Sequence, residues 1–299
     1  MENESVLRAA VRAAAIVLLC ALLARWLAPP SSAPSYDRAE TLAPAPPKYE
    51  DDDAPADERE WRHSISLEGA QPLTVHTRVR RGEMSFRFDA TLDASVSEVL
   101  SLARETDLMP VWNPYCREAG VSKLNGLLDL WAWADFKFSP LPVPPMFVVV
   151  HATLADRTAT DGHWHVRVAS SPPADEGGAD AHDRSAVPAD VLTHGEVQLT
   201  YAVARLTAVR RHPARTRVVA EIAMDLTKLS VLGPIRYLTP PAWLVNVVTK
   251  IMIPGVWRAC LQAIGKIQAD GKSGPIGARL AADSTGVYRK IRRATGQST

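Results

Sequence analysis

Residues 240–257 read PPAWLVNVVTKIMIPGVW, and this stretch decides the fold. Two prolines follow Thr239, which predicts a helix with Thr239 as its N-cap. Placed at about 100° per residue, the apolar side chains of residues 241–253 cover an arc of about 200°. A helix lying on a sheet needs an apolar stripe of only about 100°. The sequence therefore predicts a helix that buries two faces against different partners.

Pro254 interrupts this apolar run. Beyond it the apolar residues continue, but their centre moves to nearly the opposite side of the helix, where Arg258 and Lys266 now occupy the earlier apolar direction. A proline inside a helix removes a hydrogen bond and clashes with the carbonyl four residues earlier, here that of Lys250. We therefore expect Pro254 to kink the helix, or to end one helix and begin another.

Upstream of this helix the dominant hydrophobic period is two, which is typical of half-buried β-strands. The alternation is clearest in MSFRFDATL at residues 84–92. It recurs in residues 73–79, 128–138, 146–155, 164–170, 197–209 and 217–226. These segments follow one another without helices between them, so we expect an antiparallel sheet. One early helix, from the capping box Ser95-Val-Ser-Glu98 to about Thr106, completes the pattern of an α+β domain.

Small residues recur on the apolar faces of the predicted strands. In LDLWAWADFKF, from Leu128 to Phe138, alanines alternate with tryptophans, and RVVAEIAMDL from Arg217 shows a similar pattern. Alanine leaves space that a packed core fills with leucine, which indicates a cavity roofed by the helix. Alanine equally fits a place where a helix approaches a sheet closely, so both interpretations stay open at this point.

Composition excludes several classes of protein. The chain has 299 residues, of which 46% are hydrophobic and 22% charged, as in ordinary globular proteins. Its formal net charge of +1 provides no basic surplus for phosphate neutralisation, so we expect no nucleic-acid partner. The three cysteines have neither metal-binding nor redox spacing and predict no disulfide framework.

Residues 1–28 form a hydrophobic N-terminal segment. Its charge-free core, residues 13–24, is flanked by arginines on both sides. We interpret it as an uncleaved membrane anchor in which Trp26 lies at the interface, because the small residues of a cleavage site are poorly placed. A cleaved signal peptide is the alternative, since the core is shorter than a full span of about 20 residues. Arginines on both flanks leave the orientation open.

Three further segments are polar. Residues 29–61 are rich in proline and acid and predict a disordered linker. Residues 172–190 predict an acidic surface insertion within the domain of residues 62–270. Residues 271–299 predict a flexible basic tail with one candidate helix at residues 287–293.

Three motifs resemble the START domain, a lipid-binding branch of the helix-grip (Bet v 1-like, SRPBCC) superfamily. The first is residues 98–114, EVLSLARETDLMPVWNP, in which a helix leads into Trp112-Asn113-Pro114. The second is ADFKFSPLPVPPMFVVVHATL at residues 134–154, and the third is the proline-x-tryptophan-leucine-valine-asparagine start of the last helix at Pro241. The family's usual Arg-Asp pair is absent, because Val143-Pro144-Pro145 stands in that region, so no role of that pair is carried over.

The resemblance implies a helix-grip fold, in which a curved antiparallel sheet wraps a long C-terminal helix around an internal hydrophobic cavity. It implies binding of one lipid, phospholipid or sterol-like, with transfer or sensing at membranes, and neither a cofactor nor a catalytic residue. The loop at residues 230–240 would be the gate. The residues that we predict to line the cavity are Trp131, Trp133, Tyr201, Arg205, Glu221, Trp243, Leu244, Val247, Val248 and Ile251.

Other functions are weighed beside this one. A helix-grip cyclase or hydrolase acting on a hydrophobic substrate is the rival, because strand acids and histidines could serve as general acid-base groups. His163, His165 and His151 could ligate a metal, but zinc needs three or four convergent ligands, and we predict none. We expect membrane anchoring, with the domain on the cytosolic side of an endomembrane; the secretory pathway is the alternative. Protein partners are not indicated by the sequence.

Overall fold

The computed structural model describes residues 60–80, 82–124, 129–138, 144–170, 184–209, 212–225, 227 and 242–296, apart from the side chains of residues 212–214 and 242–244. These residues belong to one compact unit, Asp57–Thr299. The predicted anchor at residues 1–28 and nearly all of the linker at residues 29–61 lie outside the described residues. The same holds for the loop at residues 230–240 and for residues 172–183 of the insertion.

The domain is built on a ten-stranded sheet. Its strands are β1 (Arg62–Leu67), β2 (Leu73–Arg80), β3 (Glu83–Leu92), β4 (Cys116–Leu124), β5 (Asp129–Phe136), β6 (Met146–Arg157), β7 (His163–Ser170), β8 (Gly195–Glu196), β9 (Gln198–Val209) and β10 (His212–Asp225). The order across the sheet is β1-β2-β3-β10-β9-β7-β6-β5-β4, and these neighbours are antiparallel. The short β8 pairs with β6 in parallel. The predicted α+β class with an antiparallel sheet is confirmed.

Five α-helices complete the described part of the chain. They are α1 (Val96–Arg104), α2 (Met109–Trp112), α3 (Ala242–Asp270), α4 (Pro275–Ala282) and α5 (Val287–Thr295). The predicted capping box is present at α1, where the Ser95 side chain accepts from the backbone N–H of Glu98 and the Glu98 carboxylate accepts from that of Ser95. This reciprocal pair satisfies two donors that a helix start otherwise leaves free.

α3 is one continuous helix of 29 residues with Pro254 inside it. Of the two expected effects of Pro254, the division into two helices is therefore wrong, and a kink within the one helix stays a prediction. The predicted rotation of the apolar face is also absent, because Val245, Thr249 and Met252 are buried before the proline, and Ala263 and Ile267 continue the same side of the helix after it. The wide apolar arc arose from counting side chains that remain exposed.

The C-terminal residues differ from the predicted flexible tail. Helices α4 and α5 cover most of residues 275–295, and the side chains of Ile276, Val287 and Ile291 are buried in the main hydrophobic core. The Tyr288 hydroxyl donates to the Glu105 carboxylate at 2.5 Å. The basic residues of this segment lie on the exposed side of short helices whose few apolar side chains complete the core.

Two hydrophobic clusters lie between the sheet and the helices. The larger one joins α1, α4, α5 and the C-terminal half of α3 to Leu92, Trp164 and Leu206 of the sheet. We call this cluster the packed end. A smaller cluster places Leu73, Val75 and Ala90 against Ile253 and Trp257 of α3. Both clusters lie on the same face of the sheet, which we call the helix-facing face, and the opposite face is the outer face.

Candidate functional site: the helix-facing face of the sheet

The register of the strands sorts the side chains of the sheet by polarity. Trp164, Leu206 and Val218 lie opposite one another on β7, β9 and β10, so their side chains share the helix-facing face. Counting by alternate residues from this row assigns the positions between β2 and β5, apart from those at the register shifts of β9 and β10 near residues 212–216 and 223–224. Among these described positions, the exposed Asp156 at the end of β6 is the one charged residue that faces the helix. The helix-facing face is therefore almost wholly uncharged.

Beyond the packed end this face carries a group of alanines across four strands. We call it the alanine floor; its members are Ala132, Ala134, Ala152, Ala202, Ala204 and Ala220. Ala204 touches the packed end, whereas the other five belong to none of the described hydrophobic clusters. A floor of side chains this small leaves depth above it that leucine would fill in a packed core.

The side chains around the alanine floor keep part of their surface accessible. Val150 and Val168 lie beside the floor on β6 and β7, and Ile222 lies beside it on β10; all three are only half-buried. Ala204 and Ala220, which face each other near the middle of the sheet, are also half-buried. Helix-facing residues in central strands are normally covered completely, since this face packs the core. Space therefore remains between this part of the sheet and the helix.

The N-terminal half of α3 forms the roof of this space. Val245, Thr249 and Met252 point inward and are buried, while Val248 is half-buried beside them. α3 approaches the strands most closely at β1 and β2, at one side of the sheet. The helix thus covers the β1–β3 side most closely. Val150, Ala152, Val168 and Ala204 on β6, β7 and β9 keep part of their surface accessible, whereas Ala132, Ala134 and Ala202 are buried.

The outward side of the same helix is apolar and exposed. Val247 is 44% exposed and Ile251 is 46% exposed, so neither of these predicted lining residues points toward the sheet. The side chains of Trp243 and Leu244 lie outside the described part, as does the predicted gate at residues 230–240. Among the described residues, the stretch Val245–Ser273 has the length and mean hydropathy of a membrane-crossing helix, and only 22% of its apolar window is buried. The resemblance of this stretch to a membrane-spanning helix rests on its length and composition alone.

The two tryptophans of β5 lie on the outer face. Trp131 is half-buried and stacks on His151, with ring centroids 4.5 Å apart and an interplanar angle of 17°. Trp133 is buried against Phe147, Val149, Val187 and Val191. Val187 and Val191 come from the end of the predicted acidic insertion and the residues that follow it, which cover this part of the sheet. His194 of the same segment makes a 2.8 Å hydrogen bond with the buried Asp135 carboxylate.

Tyr201, Arg205 and Glu221 also lie on the outer face. Tyr201 donates to Glu221, and the Glu221 carboxylate lies 3.3 Å from the guanidinium of Arg87 and 3.8 Å from that of the buried Arg78. Burial, followed by the hydrogen bond to Glu221, raises the pKa of Tyr201 to about 12. The phenol therefore stays protonated and acts as a donor at physiological pH. Arg205 lies opposite His165 and Val219 in the ladder.

Of the ten predicted lining residues, the structure thus places Val248 by the roof and brings Tyr201 and Glu221 together on the outer face. It assigns the helix-facing face to other residues, chiefly the alanine floor and its valine neighbours. Contact of Val248 with a ligand stays a prediction, as does contact of Trp243 and Leu244, whereas the positions of the other seven residues argue against theirs. The alternating pattern separates the side chains of each strand into two sets. The sequence of a single strand does not show which set faces the helix.

An aromatic group at the β4–β5 side was not predicted. Phe136 and Phe138 stack with centroids 6.0 Å apart, and Tyr115 lies 5.8 Å from Phe138. A Cβ atom added at Gly255 of α3 would lie 2.9 Å from the Tyr115 hydroxyl oxygen. Glycine at this position therefore lets the tyrosine approach the helix backbone directly. The sequence signal was the Pro254-Gly255 pair, which indicated an irregular helix and not a close contact.

The strand histidines do not assemble a metal site. Within the described residues, no group of three or more His, Cys, Asp or Glu side chains converges to hold an ion. His165 is buried, and its Nε2 lies 3.1 Å from Nε of Arg167. His151 instead contacts Asp129 at 2.9 Å.

Comparisons with solved structures concern the fold. Human STARD10 is 11% identical, with a TM-score of 0.52, and the match covers 81% of this chain and 83% of that chain. Human StAR-related lipid transfer protein 5 is 13% identical, also with a TM-score of 0.52, over 71% of this chain and 89% of that chain. No family model matches the sequence. No curated protein matches it either. At these identities the likeness shows the fold alone.

Proposed function

Because this chain has a START-like fold, with the long α3 lying over a curved antiparallel sheet, we propose that it binds a single lipid or other hydrophobic molecule inside the domain. The ligand lies on the alanine floor, under the N-terminal half of α3. Val150, Val168 and Ile222 flank it, and Val248 and Met252 contact it from above. The packed end bounds the site on one side.

The observation that supports this proposal most strongly is the incomplete burial of one half of the alanine floor, Ala152, Ala204 and Ala220; the other three alanines are buried. Ala220 and its neighbour Ile222 lie on an inner strand beneath the long helix, yet both remain half-buried. Burying apolar surface stabilises by about 25 cal/mol per Å². An apolar molecule that covers these side chains gains this free energy, which the unliganded domain leaves unused.

We further propose that the domain exchanges its ligand at a membrane. The exposed pair Val247 and Ile251 gives the outward side of α3 an apolar surface, and the exposed Lys250 and Arg258 flank it. Such a surface suits the boundary between anionic headgroups and acyl chains. The roof of the site would then lie against the membrane that supplies or receives the ligand.

The N-terminal segment at residues 1–28 anchors the chain in this proposal, and residues 29–61 tether the domain to it. Its apolar core and interfacial Trp26 support an uncleaved anchor. A tether of about 30 residues keeps the domain at a high local concentration near the bilayer. We place the domain on the cytosolic side of an endomembrane. Protease protection of a C-terminally tagged chain in microsomes tests this placement, since a protected tag would favour the secretory alternative.

The enzyme alternative finds little support in the described strands. Asp135, His165 and Glu221, which could act in acid-base chemistry, lie on the outer face, away from the proposed ligand. A cyclase or hydrolase of the predicted kind needs such groups within hydrogen-bond reach of its substrate. We therefore propose binding without catalysis.

Native mass spectrometry of purified residues 57–299 tests the binding proposal. We expect a population carrying one bound molecule that organic solvent extracts, and we expect the protein to carry labelled lipid between liposomes. Empty protein in the spectrum, together with no exchange above the protein-free rate, would refute the proposal. Stoichiometric ligand with no exchange would support a sensor over a transfer protein.

A further inference from the structure

The charge distribution of the sheet restricts the chemistry of the ligand. On the outer face, charged residues occur along the strands; examples are Arg78, Arg87, Asp89, Arg205, Glu221, Asp129 and Asp135. On the helix-facing face between β2 and β5, the described residues include one charge, and Asp156 is exposed at the far end of β6. No charged residue of the described strands therefore borders the alanine floor. Beyond Ala152, the pocket at Leu130 is lined by Arg104, Glu105 and Asp107, which are held in ion pairs, Arg104 with Glu105 and Asp107 with Arg279.

Several hydroxyl groups on the helix-facing face and on the roof already take part in hydrogen bonds. Thr216 donates to the backbone carbonyl of Ala94 at 2.7 Å, and Thr249 donates to that of Val245 at 2.7 Å. Thr77 and Ser64 bond each other at 2.8 Å. At the end of β7, the Ser170 hydroxyl oxygen accepts the backbone N–H of Leu199.

Because these hydroxyls are engaged and no strand charge lies beside the floor, ligand classes differ strongly in the free energy of entering the site. An ionised headgroup placed on the floor loses its hydration and finds no partner of opposite charge on the described strands around it, which is a severe cost. A hydroxyl placed there loses far less and can still share the oxygen of a threonine or serine that already donates elsewhere. The floor therefore discriminates by charge, independently of its sign.

We propose that the ligand is an uncharged lipid of the sterol, long-chain alcohol or acylglycerol type, with a hydroxyl or ester as its most polar buried group. This inference rests on the proposed function and narrows it. Phospholipids and free fatty acids bind more weakly, since their charged groups cannot enter the space above the floor. On the described strands no charge lies beside the floor, which distinguishes this site from a carboxylate- or phosphate-binding pocket.

Competition among three ligands of equal chain length tests the inference. The full chain is immobilised on beads and loaded with radiolabelled 1-tetradecanol at pH 8. Unlabelled 1-tetradecanol, tetradecanoate and tetradecylammonium then compete for the site. We expect the alcohol to displace the label at a concentration at least about tenfold lower than either ion, because only the ions must lose hydration without a partner. The cation controls for sign, since a site selective against anions alone would accept it.

The outcomes separate the two levels of the proposal. Displacement by tetradecanoate or by tetradecylammonium at the same concentration as the alcohol would overturn the uncharged class, while lipid binding itself would stand. Failure of the full chain to retain any label that unlabelled alcohol competes for would refute the proposed function.

Ala202→Lys offers a second measurement: if the chain remains folded by circular dichroism, it should gain affinity for tetradecanoate, and Thr207→Lys on the outer face of the same strand should not. Equal behaviour of the two folded variants would count against the site.

Discussion

Filling the space above the alanine floor should be tolerated where the same change elsewhere on the strand is not. Ala220 and Ala223 lie three residues apart on β10, on opposite faces of the sheet. Ala220 is half-buried and faces α3, whereas Ala223 is completely buried on the outer face opposite Ser85 and Tyr201. The substitutions Ala220→Leu and Ala223→Leu therefore add the same three carbon atoms to two different environments.

The expected magnitudes follow from these environments. Overpacking at Ala223 should reduce the free energy of unfolding by about 1–3 kcal/mol. At Ala220 the added carbons enter existing space, where each buried CH₂ contributes about 0.8 kcal/mol. The free energy of unfolding of Ala220→Leu should therefore stay at the wild-type value or rise by up to about 2 kcal/mol. The two variants should differ by about 3 kcal/mol, with Ala220→Leu the more stable.

Urea denaturation of residues 57–299, stripped of lipid, measures this difference. A ligand-binding measurement completes the assay, because leucine at residue 220 occupies volume that about three ligand carbons would fill. At about 0.8 kcal/mol per CH₂, affinity for a long-chain alcohol should fall roughly 50-fold. The reasoning is refuted if Ala220→Leu is destabilised as much as Ala223→Leu, since the floor would then be packed. It is equally refuted if Ala220→Leu binds the alcohol as tightly as wild type.

Four further changes test other parts of the structure. Gly255→Ala should lower the free energy of unfolding by about 1 kcal/mol, because the added Cβ meets the Tyr115 hydroxyl. In a Tyr115→Phe background the better helix propensity of alanine should instead stabilise the protein by up to about 1 kcal/mol. A double-mutant cycle without coupling between the two residues would contradict the contact. Tyr288→Phe should lower the free energy of unfolding by about 1–3 kcal/mol, because the buried Glu105 loses a donor; removal of residues 297–299 is the control, and equal stability of all three proteins would count against a structured C-terminus. Val247→Asp and Ile251→Asp should weaken sedimentation with anionic liposomes without lowering the melting temperature, because both side chains are exposed; unchanged sedimentation would remove the proposed membrane surface. Burial raises the pKa of the Cys260 thiol to about 11. The neutral thiol therefore stabilises the fold fully below the ordinary pKa of about 8.5, and this contribution is lost as pH rises toward 11. Between pH 8 and pH 10 the free energy of unfolding of the wild type should fall by about 1–2 kcal/mol more than that of Cys260→Ala, and parallel pH profiles would contradict this assignment.

The strands were predictable because each of them alternates in polarity along its length. Seven of the segments predicted from period two coincide with β2, β3, β5, β6, β7, β9 and β10 to within a few residues, apart from an earlier start of β10. β1 and β4 were missed, since both are edge strands and their exposed polar residues dilute the alternation. The capping box located α1 because its four residues carry the whole signal locally.

The inward face of the strands was not predictable from the strands alone. β5 presents tryptophans on one side and alanines on the other, and Trp133 is buried as fully as Ala132 and Ala134, since Val187 and Val191 cover it from outside. Only the tertiary contact of a distant segment distinguishes the two faces. The same limit applies to Tyr201 and Glu221, whose partners Arg78 and Arg87 lie more than a hundred residues away.

The course of α3 shows a second limit. Proline inside a helix costs about 3 kcal/mol in an isolated context, which favoured a break at Pro254. The structure keeps the helix continuous, because buried residues on both sides of the proline, such as Met252 and Ile264, fix the two halves on the same sheet. Tertiary packing of this kind overrides a local preference.

Photo-crosslinking can show whether the ligand lies on the helix-facing face of the sheet. A long-chain alcohol carrying a diazirine is bound to the purified domain and irradiated, and the labelled peptides are mapped by mass spectrometry. We expect labels on Val150, Val168 and Ile222, around the alanine floor, and none on Trp131, Tyr201 or Arg205. Labels confined to the outer-face residues, or labels that an excess of unlabelled alcohol does not suppress, would contradict it.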